Sequence, residues 1–262
     1  MFDCTLWSDK PGGLLPGCER VYLTDRAWRR SDHETCAPYD PLRWERYLQS
    51  LPPGALLVID EECLKDSPFV YGRETAMREL EQRLELHRVV RRVRPDVVNS
   101  DCCGPLPQAN QPAYVWNDAG QLKKLRESND LTMAAARPWL KALTVEVYFT
   151  PREGKPIRAS YRDDVEAIIA GNAAEARRFT DGRPVYALVW LRSKGEAGRG
   201  WSRYFGDEVA RFILDESVRL YDGVILWDRT FTEDGKDLGT KRFDPSDPAM
   251  AMMLRWLRER ER

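Results

Sequence analysis

The feature that most restricts this chain is a repeated change of period. Short runs rich in Val, Ile and Leu alternate with stretches whose apolar residues recur every three or four positions, the pattern of successive βα units. Runs at 55–59, 96–99, 143–149, 185–191 and 223–227 read as strands, and weaker ones at 2–7 and 20–23 complete a set of seven. The helices between them announce their starts. Asp40-Pro41 and Asp247-Pro248 pair a capping carboxylate with a proline at the first helical position, where a missing N–H costs nothing. Trp44, Tyr47, Leu48 and Leu51 follow the first signal, and Met250, Met253, Leu254 and Leu257 follow the second. Residues 73–93 carry Met77, Leu80 and Leu84 on one stripe, with Arg88, Arg91 and Arg92 in the last turns, where cations complement the helix dipole. Ser160 and Asp163 resemble a capping box ahead of Val165, Ile168, Ile169, Ala176 and Phe179. Asp207 opens a further helix with Val209, Phe212, Ile213 and Leu220 facing inward.

Strands this apolar, each separated by a helix, are expected to be parallel and covered on the outside. The fold class expected is α/β: a (β/α) TIM-like barrel of seven parallel strands, a single domain over 1–262. That length is close to the ~250 residues typical of the architecture. An open doubly wound sheet is the alternative, but no GxGxxG motif supports it.

Charge and composition narrow the chemistry. The 41 Lys+Arg offset 42 Asp+Glu for a net charge of −1, so no basic excess marks a nucleic-acid or membrane-surface partner. No window approaches the ~20 apolar residues that cross a bilayer. His33 and His87 are too few for a three-histidine zinc centre, and neither HExxH nor CxxC occurs, so no metal or cofactor is expected. Acid–base work is left to carboxylates. The six cysteines are irregularly spaced and no secretory leader pattern opens the chain, which favours free thiols in a reducing compartment such as the cytoplasm.

In a (β/α) barrel, functional groups project from the C-terminal ends of the strands. This chain is acidic there: Asp25, Asp60 and Glu62, Asp101, Glu146 within its strand, and Asp228 after Trp227. Capping the next helix explains any one of these acids as well as function does; it explains the set less well. The sharpest element is Val58-Ile59-Asp60-Glu61-Glu62. Residues i and i+2 share a strand face, so Asp60 and Glu62 point the same way with Cα atoms roughly 6.6 Å apart, and Glu61 points oppositely. Two carboxyls in one partly desolvated cleft cannot both ionise freely, so one is expected to stay protonated near neutral pH. That pairing is what a glycosidase uses to protonate a leaving oxygen. By the same alternation Glu146 shares a face with Tyr148, and Trp227 with Ile225. An indole at a strand end makes a flat wall for a sugar, or simply fills a core. The glycine-rich loop 193–206, with Trp201 and Tyr204, reads either as a substrate lid or as a long exposed connection.

Together these residues resemble the hyaluronidase family of glycoside hydrolases. Val58-Ile59-Asp60-Glu61-Glu62 is similar to its Asp-x-Glu strand, and Asp101-Cys102 to its strand-end Asp-Cys step. Asn129-Asp130-Leu131, Trp139-Leu140 and Val147-Tyr148-Phe149 follow in that family's order, and Pro184-Val185-Tyr186 and Gly223-Val224-Ile225-Leu226-Trp227 look like its last two strands. The resemblance spans about 55–230 and implies a seven-unit barrel. It implies Glu62 as acid/base and Asp60 assisting a substrate acetamido group that acts as nucleophile. It also implies Tyr148 hydrogen-bonded to that group and Trp227 as a sugar wall. Asp101, Glu146, Tyr186 and Asp228 are the further candidates for binding a polysaccharide or oligosaccharide.

Three departures stand out. Val97-Val98-Asn99-Ser100 replaces an aromatic run, no second loop cysteine lies between Cys103 and Glu146, and Glu146 stands where a small residue is usual. The last two point to a different polysaccharide. The first opens the alternative of a catalytically inactive barrel that binds carbohydrate. A further alternative is a carboxylate-bound Mg²⁺ or Ca²⁺ enzyme using Asp60, Glu62, Asp101 and Asp228.

Overall fold

A computed structural model describes residues 1–3, 14–23, 39–61, 64, 67–102, 118–149, 162–193, 204–228 and 245–261. Seven strands, β1 Phe2–Asp3, β2 Glu19–Leu23, β3 Leu56–Asp60, β4 Val98–Cys102, β5 Leu143–Phe149, β6 Val185–Ser193 and β7 Gly223–Leu226, form one sheet in the order β4-β3-β2-β1-β7-β6-β5. Every ladder in it is parallel. The two edges meet. Ser100 Oγ lies 2.6 Å from Thr144 Oγ1, and the Lys141 and Ala142 amides donate to the Asn99 carbonyl at 3.0 and 3.2 Å. The sheet is therefore rolled into a nearly closed (β/α) barrel, as the alternating period predicts.

The described helices are α1 Pro41–Gln49, α2 Pro68–Tyr71, α3 Arg73–Val93, α4 Ala119–Ala136, α5 Arg162–Arg177, α6 Asp207–Leu220 and α7 Pro248–Arg260. Both expected proline starts hold. Asp40 Oδ1 accepts from the Arg43 amide at 3.0 Å, and Asp247 Oδ1 accepts from the Ala249 and Met250 amides at 3.0 and 3.1 Å. None of the described helices is long and apolar enough to cross a membrane.

Strand alternation sorts the core into layers. Val21, Leu56, Val58, Cys102, Tyr148, Leu188, Trp190 and Ile225, drawn from β2 to β7, fill the barrel interior. Outside the wall, Leu57 and Ile59 of β3 pack on Trp44 and Leu48 of α1 and Leu86, Val89 and Val90 of α3. Val145, Val147, Val189 and Leu226 pack on α5, α6 and α7. Each such side chain contributes about 1.5–3 kcal/mol when fully buried. At Gly223 an added Cβ would lie 3.0 Å from the Tyr186 ring and 3.2 Å from Phe2, tight enough that these rings would have to move by a few tenths of an ångström.

Of the first strand, expected at 2–7, Phe2–Asp3 is described and residues 4–7 lie outside the described residues. Two expectations change. The fourth strand is Val98–Cys102 rather than 96–99, which places Asp101 within the strand instead of beyond its end. Helix α4 has no counterpart among the helices expected from apolar periodicity, because Ser128, Asn129 and Thr132 occupy much of its buried face beside Leu125 and Met133. Ser160 of the expected capping box lies outside the described residues.

Candidate active site

The C-terminal mouth of the barrel collects the interior residues at the strand ends. On β3, Leu56 and Val58 face inward, and Asp60 continues that face at the end of the strand, half-buried and in register with Cys102 of β4. On β5 the inward set is Thr144, Glu146 and Tyr148; the interleaved Val145 and Val147 belong to the outer core. Glu146 is 3% exposed and sits one layer below Tyr148, while its backbone carbonyl accepts from Asn172 Nδ2 of α5 at 3.3 Å.

Three rings roof this interior. Tyr148 lies 5.6 Å from Trp190 and 5.7 Å from Trp227 between ring centroids, and the two indoles meet edge-to-face at 4.9 Å. Trp227 is the half-buried member, with Tyr148 and Trp190 almost fully covered. Edge-to-face contacts of this kind lock ring orientation beyond what area burial alone achieves. The mouth thus holds a packed aromatic cluster on the β5–β7 side, at the same end of the barrel as Asp60 of β3.

Asp228 follows β7 and is completely buried. It accepts from Trp190 Nε1 at 2.9 Å and from Arg192 Nε at 3.1 and 3.2 Å. The other end of the same guanidinium donates from Nη2 to both oxygens of Asp247, at 2.6 Å, on the cap of α7. Burial pushes the Asp228 carboxyl up, to about 6. Arg192 and the Trp190 N–H pull it down, and Asp247 adds a smaller upward push. Arg192 therefore ties the end of β7 to the start of α7 and holds an aspartate that can change charge near neutral pH.

Two sequence candidates do not join this cluster. Asp101 shares the parity of Asn99, and both face the helix layer. Its oxygens accept from Arg83 Nη1 and from His87 Nε2, each at 2.7 Å, on α3. Asp101 is fixed beneath α3 and does not border the interior. Tyr186 faces inward but at the first turn of β6, which is the N-terminal end. It packs edge-to-face on Phe2 at 5.2 Å and lines a cavity of about 350 Å³ with Glu19, Pro52, Gly54 and Val98. Burial, then Asp222 and Glu19, push its phenol up. Glu62 and Asp25 lie outside the described residues, as do 194–203 of the loop considered as a lid. At that loop's far end, Tyr204 bridges to Arg192 and donates to Asp207 at 2.7 Å.

Two members of the cluster escaped sequence reasoning, Trp190 and Arg192. Their signal was present: Tyr186, Leu188, Trp190 and Arg192 alternate along one face of β6. For the divalent-metal alternative, no group of three or more His, Cys, Asp or Glu side chains among the described residues is placed to hold a metal ion, and Glu62 lies outside those residues.

No protein-family model matches the chain, and no curated protein sequence matches it. Solved structures do. Bee venom hyaluronidase in complex with a hyaluronic acid tetramer is 13% identical over 91% of this chain and 82% of its own, with a TM-score of 0.50. A fungal β-1,4-galactanase is 10% identical over 91% and 78%, with a TM-score of 0.49. An endo-β-1,4-mannanase double mutant from Cellulomonas fimi is 10% identical over 82% and 57%, with a TM-score of 0.42. Of these three, only the first reaches 0.50, and at that identity it is a likeness of fold. All three are glycoside hydrolases.

Proposed function

We propose that the protein is a glycoside hydrolase acting on a polysaccharide or oligosaccharide that contains N-acetylhexosamine. Glu62 serves as acid/base, Asp60 orients and stabilises the substrate acetamido group as nucleophile, Tyr148 hydrogen-bonds that group, and Trp227 walls the sugar. The observation that carries this reading is the Tyr148–Trp190–Trp227 roof at the same strand ends as Asp60. Trp227, the half-buried member, offers an indole on which the C–H face of a pyranose can stack, at the same end of the barrel as the Asp60 carboxylate.

Substrate assistance makes a protein nucleophile unnecessary, so one proton donor suffices. Protonation of the glycosidic oxygen by Glu62 and attack of the acetamido oxygen on the anomeric carbon break the leaving-group bond. Water activated by the same carboxylate then opens the cyclic intermediate. Glu146, buried under Tyr148, and Asp228, beneath the indoles, support the floor and wall of the sugar site.

The test is a reducing-end assay over hexosamine polymers with Glu62→Gln as control. Hydrolysis by the wild type and its loss by at least about a hundredfold in a folded Glu62→Gln protein are expected. Wild-type binding without release of any reducing end would instead identify a carbohydrate-binding barrel. Activity abolished by EDTA would favour the metal alternative.

A further inference from the structure

The acid that follows β7 is tied into the aromatic cluster rather than open to the mouth. Asp228 is completely buried, so it acts through its neighbours and not on a ligand. Its Oδ1 accepts from Trp190 Nε1 at 2.9 Å and from Arg192 Nε at 3.1 Å. Trp190 and Arg192 stand two residues apart on β6, and Asp228 bridges them. The Arg192 guanidinium is held in turn by the Asp247 carboxylate on the cap of α7, so the acceptor for the Trp190 N–H is itself anchored. Asp228 also follows Trp227 directly in the chain, and the Trp227 amide donates to the Val189 carbonyl of β6 at 3.0 Å. Trp227 is therefore held twice. Its backbone lies between that bond and the anchored Asp228, and its ring meets the Trp190 ring at 4.9 Å with the planes 80° apart.

We propose that Asp228 is a positioning residue for the sugar wall: it fixes the Trp190 indole through Nε1, and the edge-to-face contact passes that orientation to Trp227, whose face receives the sugar. This deepens, and rests on, the reading of Trp227 as the wall of a sugar site. An indole has a single polar atom, and in a buried setting the partner of that N–H selects one ring orientation among those that packing alone allows. A carboxylate acceptor makes the selection firm, because a hydrogen bond to an ionised group is stronger than one between neutral groups. Tyr148 lies 5.6 Å from Trp190 and 5.7 Å from Trp227, so an orientation set at Trp190 also reaches the phenol read as the partner of the acetamido group. Stacking depends on the tilt of the wall, so a carboxylate that never touches the sugar still governs how tightly the sugar is held.

The test compares two changes at one position. Asp228→Leu removes the acceptor, whereas Asp228→Asn removes the charge and keeps an oxygen for the Trp190 N–H. In the folded Leu variant the Trp227 ring resonances move from their wild-type positions. Its affinity for a tetramer of N-acetylglucosamine, measured by calorimetry, falls about threefold to tenfold, the share that one aromatic contact supplies. In the Asn variant the resonances and the affinity both stay close to wild type. A role confined to the ion pair with Arg192 predicts otherwise, since both changes discharge position 228 and Asn would then fail along with Leu. That result overturns the proposal, and so does a folded Leu variant with wild-type affinity or superimposable Trp227 resonances. Should Asp228→Leu fail to fold, Trp190→Phe deletes the same bond with Asp228 and Arg192 in place. The same loss is expected there, and unchanged Trp227 resonances overturn the proposal. If the wild type binds no tetramer, the reading of a sugar site fails on its own, and the resonances still decide whether Asp228 orients the cluster.

Discussion

Among the described residues, the two most buried arginine–aspartate pairs lie in different places, one under α3 and one at the ends of β6 and β7, and are built differently. Under α3, each oxygen of Asp101 has its own donor at 2.7 Å, one from Arg83 and one from His87. At the C-terminal mouth, Asp228 shares its guanidinium: Arg192 turns Nε toward it at 3.1 and 3.2 Å and gives the closer Nη2 contact to Asp247. Asp228 also accepts from Trp190 Nε1 at 2.9 Å, yet complete burial outweighs its donors and raises its carboxyl to about 6. What separates the two pairs is that the Arg83 guanidinium serves one carboxylate and a backbone carbonyl, whereas that of Arg192 serves two carboxylates.

The largest expected effect separates the two directly. Arg83→Met alone leaves Asp101 buried with one donor removed and should cost about 3–5 kcal/mol in urea unfolding. Arg192→Met should cost a similar amount at pH 8 but clearly less at pH 5, because Asp228 takes up a proton and discharges itself. Equal penalties for Arg192→Met at both pH values would erase the distinction.

Next is the wild type's own pH dependence. A carboxyl raised in the folded state binds more protons there than in the unfolded chain between its two pKa values. Its contribution to stability is thus greatest below pH 4 and falls as pH climbs to about 6, by about 3 kcal/mol in all. Other acids add their own slopes, so the checkable quantity is the difference from Asp228→Asn, whose stability curve should lack this fall. Parallel curves for the two proteins would remove Asp228 as the source.

Trp190→Phe deletes the N–H that reaches Asp228 at 2.9 Å, and a loss of about 2 kcal/mol is expected at neutral pH, with the Asp228 titration moved further upward. The smallest effect belongs to an exposed pair. Arg177 and Asp222 sit 2.7 Å apart with both side chains about two-fifths in solvent, and Arg177→Ala should change stability by less than about 1 kcal/mol. A penalty there matching that of Arg83→Met would show that burial is not what sets these energies.

Much of the barrel was legible from the chain because β3 and β7 are apolar on both faces up to their ends, and β5 and β6 keep an apolar outer face, as covered parallel strands require. β4 was harder to place. Its Asn99-Ser100-Asp101 segment resembles a loop, yet each side chain finds a specific partner across the fold: Asn99 on Trp139 and His87, Ser100 on Thr144, Asp101 on Arg83. Local composition carries no record of such distant satisfaction. With the boundary set too early, Asp101 read as a residue beyond the strand end and so at the mouth; within the strand it shares the outward face of Asn99. Tyr186 failed for another reason: alternation places it inside correctly but does not say which end of the barrel it occupies. Parity put Tyr148 on the face of Glu146 and Trp227 on that of Ile225, the resemblance brought the two rings to one site, and Trp190 would have followed had parity been applied along β6.

The join between β4 and β5 has a mechanical consequence. Where the other strands are joined by backbone ladders, this join rests, among the described residues, on one hydroxyl pair and two amides converging on a single carbonyl. A cylinder fastened so sparsely along one line has a preferred place to unzip, and solvent deuterons should reach the backbone of Asn99 and Ala142 before they penetrate the staves opposite.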